Sequence, residues 1–198
     1  MRGALITVEG IDGSGKSTLC TALVHELGEH ALLLREPGGV VLAERIRELV
    51  KDPALEVCPP AEALLFAAAR AQLVAEKIKP LLAEDKVVLL DRFVDSSLAY
   101  QGAGRGLGIG AISAINELAT GGLVPDRTLL LRVDPELAAT RMSEGDRLER
   151  AGAIFFADVA QAYDRLAEAD PARFRVLDAS LSPSDVLVSA LKALEDLI

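Results

Sequence analysis

Tryptophan is absent from this 198-residue chain, and histidine, cysteine and tyrosine each occur only twice. Two cysteines, Cys20 and Cys58, offer no disulfide framework and fit a reducing compartment, each read as a small buried or half-buried side chain. His25 and His30 both precede the second strand expected below, which leaves no imidazole set for a zinc site or a histidine-based triad. No block of basic residues exists and the formal net charge is −9, which argues against nucleic acid or a membrane surface as a partner. The apolar run after Met1-Arg2 is too short for a secretory signal, and no stretch approaches a membrane span. The default expectation is a cytoplasmic soluble enzyme, one domain over residues 1–198, with 51% hydrophobic residues to fill its core.

Against these absences one segment stands out. Gly10-Ile11-Asp12-Gly13-Ser14-Gly15-Lys16-Ser17 follows the apolar run Ala4-Leu5-Ile6-Thr7-Val8 and leads into a helical pattern at Thr18. This is G-x-x-x-x-G-K-[ST] in the context its chemistry needs, a buried strand, a glycine turn and a helix N-terminus. The glycines let successive N–H groups point inward at phosphate oxygens, and the helix dipole adds positive potential there. Lys16 would reach the outer phosphates and the Ser17 hydroxyl would ligate Mg²⁺. A nucleoside triphosphate is the expected ligand.

Short, almost continuously apolar runs near 4–9, 31–35, 86–91, 127–133 and 173–178 read as strands buried on both faces, as in a parallel sheet. Helical patterns near 17–28, 40–51, 61–83, 94–101, 110–120, 135–143, 151–168 and 183–197 separate them, with Pro60, Pro135 and Pro183 in first turns. The alternation predicts an α/β fold: a doubly wound, parallel, five-stranded sheet flanked by helices, with right-handed crossovers. Ligands of such folds gather at the carboxyl ends of the strands, here Glu9, Arg35-Glu36, Asp91-Arg92, Val133-Asp134 and Asp178. The charged, glycine-broken stretch Ser143–Arg150 reads as a lid, with the lid segment spanning about 142–152.

Further residues acquire candidate roles from position. Asp91 ends a buried strand, the layout of a carboxylate that holds Mg²⁺ through water, although a helix cap would look the same. Phe66 and Arg70 lie one helical turn apart and share a face, so one could stack on a base while the other bonds its edge. Arginine carries donors only and would favour a pyrimidine 4-carbonyl over an amino group. Ser97 and Gln101 repeat that spacing; ordinary core and surface placement explains both pairs equally well. Arg35, Arg47, Arg92 and Arg147 are the arginines expected near phosphates, whereas Arg45, Arg127, Arg165 and Arg173 read as solvated surface charges.

Several segments together carry a resemblance: Glu9–Ser17, Arg35-Glu36-Pro37-Gly38-Gly39, Leu64-Leu65-Phe66-Ala67-Ala68-Ala69-Arg70, Asp91-Arg92-Phe93 with Ser96–Gly102, and Asp146-Arg147-Leu148-Glu149. From Leu5 to about Ala179 the chain resembles the bacterial thymidylate kinases, a P-loop nucleoside monophosphate kinase family. The resemblance implies that Phe66 stacks on thymine, Arg70 bonds its 4-carbonyl, and Ser97 and Gln101 contact the rest of the base. Tyr100 would sit under the sugar and Asp12 would meet its 3′-hydroxyl. Arg35 and Arg92 would hold the acceptor phosphate, with Pro37 and Arg47 bordering the same pocket. On the donor side Gly10–Thr18 would cradle ATP and Arg141 would stack on adenine. It also implies a homodimer. Three departures stand out. Val40 occupies a position where threonine is common, the lid is short, and Gly13 stands where some relatives carry a catalytic arginine. Arg147 is then the first candidate to supply that charge, and Arg150 the second.

The expected reaction is transfer of the γ-phosphoryl of ATP to dTMP, giving dTDP on the way to dTTP, with Mg²⁺ as cofactor. The acceptor oxygen is already anionic near neutral pH, because a phosphate monoester's second pKa is about 6. Alignment and charge neutralisation therefore suffice without a general base. The alternatives are a kinase for another (deoxy)nucleoside monophosphate or for a nucleoside, and, from another class, a nucleotide-binding switch or regulatory ATPase.

Overall fold

The computed structural model describes residues 3–141 and 152–198. Five strands, β1 (Ala4–Glu9), β2 (Ala31–Arg35), β3 (Val87–Asp91), β4 (Arg127–Arg132) and β5 (Phe174–Asp178), form one sheet in the order β2-β3-β1-β4-β5. Every pairing is parallel. The continuous apolar runs follow from this, since side chains alternate between two covered faces. In β3, Val87 and Leu89 join one core while Val88 and Leu90 join the other. The first core packs β1, β3, β4 and β5 against α1 (Lys16–Leu27), α8 (Ala153–Ala169) and α9 (Pro183–Leu194). The second packs the opposite face against α2 (Val41–Lys51) and α3 (Pro59–Leu73). The side chains of Leu5, Ile6, Leu23 and Leu89 are fully shielded, each worth about 1.5–3 kcal/mol of transfer from water.

The helices depart from expectation in how they are wound. The region expected as one helix over 61–83 comprises α3, a π-helical turn at Val74–Ile78 and α4 (Lys79–Ala83). Pro80, which cannot donate in a continuous α-helix, falls in the first turn of α4, after the π turn has shifted the hydrogen-bond register. The region expected as a helix over 94–101 is a single turn, α5 (Val94–Ser97), followed by a π-helical segment, Leu98–Gly104. That segment turns Tyr100 and Gln101 both inward. The remaining helices, α6 (Ile109–Thr120) and α7 (Pro135–Thr140), start and stop close to expectation.

Some side chains stand elsewhere than expected. Cys58 is exposed at the N-terminus of α3, not half-buried. Arg127 is buried and donates to Asp196 at 2.7 Å. Arg173 is mostly covered, its guanidinium reaching Asp95 at 2.6 and 3.0 Å and Thr128 at 2.7 Å. Two of the strand-end carboxylates are local caps: Asp134 accepts from the Glu136 N–H at 2.8 Å, and Asp178 accepts from the Ser180 N–H at 2.9 Å. Val40 is the N-cap of α2 and offers no side-chain acceptor there; Glu44 takes the Gly39 N–H instead, at 2.8 Å.

Candidate functional site

The strand order brings the carboxyl ends of β1 and β3 side by side, so Gly10–Ser17 and Asp91-Arg92 form one crevice. Gly10, Gly13 and Gly15 adopt φ of 142°, 78° and 92°, conformations that L side chains rarely adopt. At Gly13 space is also lacking: a Cβ there would overlap the Ala138 carbonyl oxygen of α7. No arginine could replace it without moving α7. The Lys16 ammonium is buried, donates to the Ile11 carbonyl at 2.8 Å, and lies 4.0 Å from Asp12. Burial, seconded by Arg92, brings its pKa down to about 8 despite Asp12, Asp91 and Glu9. Ser17 Oγ donates to Asp91 Oδ2 at 2.9 Å. A hydroxyl and a carboxylate at the mouth of an anion cradle are hard oxygen donors of the kind Mg²⁺ takes.

A cavity opens beside this loop, lined by Asp12, Glu36, Pro37, Arg47, Lys51, Phe66, Arg70, Arg92, Ser96, Ser97, Tyr100 and Gln101. Arg92 is its hub. NH2 donates to Asp12 Oδ1 at 2.6 Å and to Tyr100 OH at 3.2 Å, while NH1 donates to the Gly10 carbonyl at 3.1 Å and Ser96 Oγ at 3.0 Å. Tyr100 OH in turn donates to Asp12 Oδ2 at 2.9 Å. Burial alone would raise the Asp12 pKa, but Arg92, Lys16 and these hydrogen bonds outweigh it and hold the carboxyl at about 2.

Arg70 is 1% exposed and fully engaged. Its Nε donates to Glu36 at 2.7 Å, NH1 to Ser97 Oγ at 2.9 Å and to Asn116 Oδ1, and NH2 to the Phe93 carbonyl at 2.9 Å. Glu36 keeps one buried oxygen, Oε1, without a protein partner, and burial raises its pKa in spite of Arg70. Gln101 donates to Glu62 at 3.0 Å, and Arg105 bonds that same carboxylate while covering the Phe155 ring at 4.8 Å.

Nine of the ten expected acceptor-side residues thus line one cavity. The exception is Arg35, half-exposed and turned to Glu44 with both bonds at 3.2 Å. On the other side of the loop, Ser14, Gly15, Thr18 and Arg141 line a second hollow with Leu131, Ala179, Leu181 and Pro183. Arg141 is fixed there by donating to the Ala179 carbonyl at 2.9 Å. Arg147 and Arg150, with the rest of 142–151, lie outside the described residues.

Glu9, a strand-end residue with no role of its own in the sequence pattern, meets Ser96 and Tyr163, to which the pattern gives no role either. Glu9 is fully buried; it accepts from the Phe93 N–H at 2.7 Å, Ser96 Oγ at 2.6 Å and Tyr163 OH at 2.8 Å. Burial first, and then the nearby Asp95 carboxylate, raise its pKa to about 7. Its place at the end of β1 was visible; its partners, up to 154 residues away, were not. Lys51 and Asn116 gave no motif either.

The family model described as thymidylate kinase matches residues 8–189. The chain is 46% identical to the thymidylate kinase of Oenococcus oeni, over 98% of this chain and 96% of that protein. It is also 46% identical to that of Deinococcus radiodurans, over 97% and 96%. Among solved structures it is similar to thymidylate kinase from Ehrlichia chaffeensis, at 32% identity and a TM-score of 0.82, over 98% of this chain and all of the other.

Proposed function

The chain belongs to the thymidylate kinase family and phosphorylates dTMP, and from that premise we propose how its residues divide the work of making dTDP for dTTP synthesis. The donor is ATP, with its phosphates on Gly10–Thr18 and its base against Arg141, in the hollow beside Leu181 and Pro183. Lys16 moves from the Ile11 carbonyl to the outer phosphates, where the anion restores the full charge that burial weakens. Ser17 and Asp91 are the protein's share of a Mg²⁺ site, the serine direct and the aspartate through water. Among the described residues no cluster of three or more acidic, histidine or cysteine side chains gathers to hold a metal alone; phosphate and water would complete the shell. When bound, the ion neutralises charge on the transferring group.

dTMP occupies the adjoining cavity. Phe66 stacks on thymine, Ser97 and Gln101 border its edge, and Arg70 meets the 4-carbonyl. Since all of its donors are engaged, Arg70 does so by exchanging Ser97 or Asn116 for the base at NH1. Asp12, held anionic by Arg92 and Tyr100, accepts from the sugar 3′-hydroxyl. Arg92 holds the acceptor phosphate, Arg47 and Pro37 bound its pocket, and Arg35 joins by leaving Glu44. No base is required, and the cavity presents no histidine. The remaining charge on the transferring group comes from the lid over 142–152, from Arg147 first and Arg150 second.

The protein works as a homodimer in the cytoplasm. α3 packs between α2 and α6, and these helices leave Val41, Leu42, Leu49, Leu64, Ile109 and Leu118 exposed, apolar surface that a second copy would cover. No helix among the described residues is long and apolar enough to cross a membrane.

The observation that carries this reading is a phosphate loop and an arginine-anchored nucleotide cavity meeting at Asp12 and Arg92. A coupled assay tests it. ADP should form with ATP, Mg²⁺ and dTMP, but not with thymidine in place of dTMP nor without an acceptor. Turnover with thymidine would favour a nucleoside kinase, and turnover without any acceptor a regulatory ATPase.

A further inference from the structure

Arg92 must hold the acceptor phosphate at a set distance from the donor loop, yet its own backbone is unusual. Its φ is 72°, a region that non-glycine residues enter only when their surroundings impose it. Glu9 supplies the surroundings. One carboxylate oxygen takes the N–H of Phe93, the residue after Arg92, and so pins the turn that aims the side chain. The other takes Ser96 Oγ, and the same hydroxyl oxygen accepts from Arg92 NH1. Tyr163 OH closes the set from α8, 2.8 Å from both Glu9 and Ser96. Glu9 is also joined covalently to Gly10, whose carbonyl accepts from Arg92 NH1. Donor cradle and acceptor clamp therefore hang from one residue at the end of β1.

We propose that Glu9 is a positioning residue for phosphoryl transfer: through Phe93 N–H and Ser96 it sets where the Arg92 guanidinium stands relative to the phosphate loop. It touches neither nucleotide. The proposal rests on Arg92 holding the acceptor phosphate, as inferred above. In-line transfer is sensitive to such placement, since a misalignment of about 1 Å can cost about 100-fold in rate.

The test is steady-state kinetics on Glu9→Gln, Arg92→Ala and the double variant, with folding followed by circular dichroism. Glu9→Gln keeps the size and an acceptor for Phe93, but puts an amide donor where the second oxygen stood. It should lower kcat by about tenfold or more while KM for ATP stays within about twofold. On the Arg92→Ala background the same change should cost less than about twofold, because its effect passes through that arginine. A folded Glu9→Gln protein with wild-type kcat overturns the proposal, as does an undiminished tenfold loss on the Arg92→Ala background. Were Arg92→Ala itself to leave kcat and KM for dTMP normal, the assignment of Arg92 would fail, and the proposal with it. If Glu9→Gln does not fold, Ser96→Ala carries the test. It cuts the shared hydroxyl and leaves the carboxylate; the same kcat loss at constant ATP KM supports the proposal, and wild-type kinetics overturn it.

Discussion

Replacing Arg70 by alanine should affect both stability and substrate choice, and the two effects can be measured separately. The guanidinium is 1% exposed and bonds Glu36, Ser97, Asn116 and the Phe93 carbonyl, tying α3 to the end of β2, to α5 and to α6. Its loss leaves the Glu36 carboxylate, buried and already short of one partner at Oε1, without a counter-charge. Removing one member of a buried ion pair typically costs about 3–5 kcal/mol, a large fraction of the ~5–15 kcal/mol that holds a domain folded. For a chain of this length that corresponds to a fall in Tm of about 6–20 °C. The Glu36 pKa is already raised above 4.5 by burial, and without Arg70 it rises further. The cost is therefore greatest at neutral pH and is relieved as the pH falls and Glu36 takes up a proton. Glu36→Gln on the same background should recover part of the loss at neutral pH. A cooperative melt within about 2 °C of wild type would refute the claim that this network matters to the fold.

In kinetics at a temperature where the variant is folded, dTMP binding should weaken by about 1.5–3 kcal/mol, the worth of hydrogen bonds from a charged donor. KM for ATP should scarcely move, because the hollow proposed for ATP lies across the loop and shares no residue with the Arg70 network. Equal losses for both nucleotides would show that Arg70 serves the fold alone.

Lys16→Ala should leave the circular dichroism spectrum intact and reduce phosphoryl transfer far below a tenth of wild type; retention above that, a barrier change of only about 1.4 kcal/mol, would remove Lys16 from the reaction. Glu9, with its pKa raised from 4.5 to about 7, binds a proton in the folded chain over a range where the unfolded chain has lost it. Its contribution to stability is therefore full below pH 4.5 and fades as the pH rises to about 7, by about 3 kcal/mol at 1.36 kcal/mol per pH unit. Stability of Glu9→Gln across that range should lack this slope, and a parallel profile would refute the assignment. Because Ala138 bars any side chain at Gly13, Arg147→Ala should lower kcat by about 10³ or more with little change in either KM. Loss in Arg150→Ala alone would move the role three residues along, and an active double variant would end the lid reading.

What could be read from the sequence, and what could not, divides along a physical line. The strands were legible because a parallel sheet covered on both faces needs unbroken apolar runs, and Val87-Val88-Leu89-Leu90 can be little else. The phosphate loop was legible because its partners are its own backbone amides, local in the chain. The π-helical turns at Val74–Ile78 and Leu98–Gly104 were not, since a hydrogen bond that spans one residue more barely alters an apolar pattern read over so few residues. Nor was the ionic interior. Arg173 has no motif around it and reads as surface, yet its partner Asp95 is 78 residues away; Arg127 finds Asp196 at a separation of 69. Charge is expensive to bury unless paired, so a buried charge can be inferred only when its counter-charge is in view. Asp91 and Arg92 were in view because they share a motif with the strand that carries them, although Asp12, the counter-charge of Arg92, lies 80 residues away. Glu9 was equally plain as a residue, but its meaning depends on Phe93, Ser96 and Tyr163, which only the strand order β3-β1-β4 and the packing of α8 bring together. The groups proposed to touch nucleotide belong to local motifs; the groups that hold them in place belong to the topology.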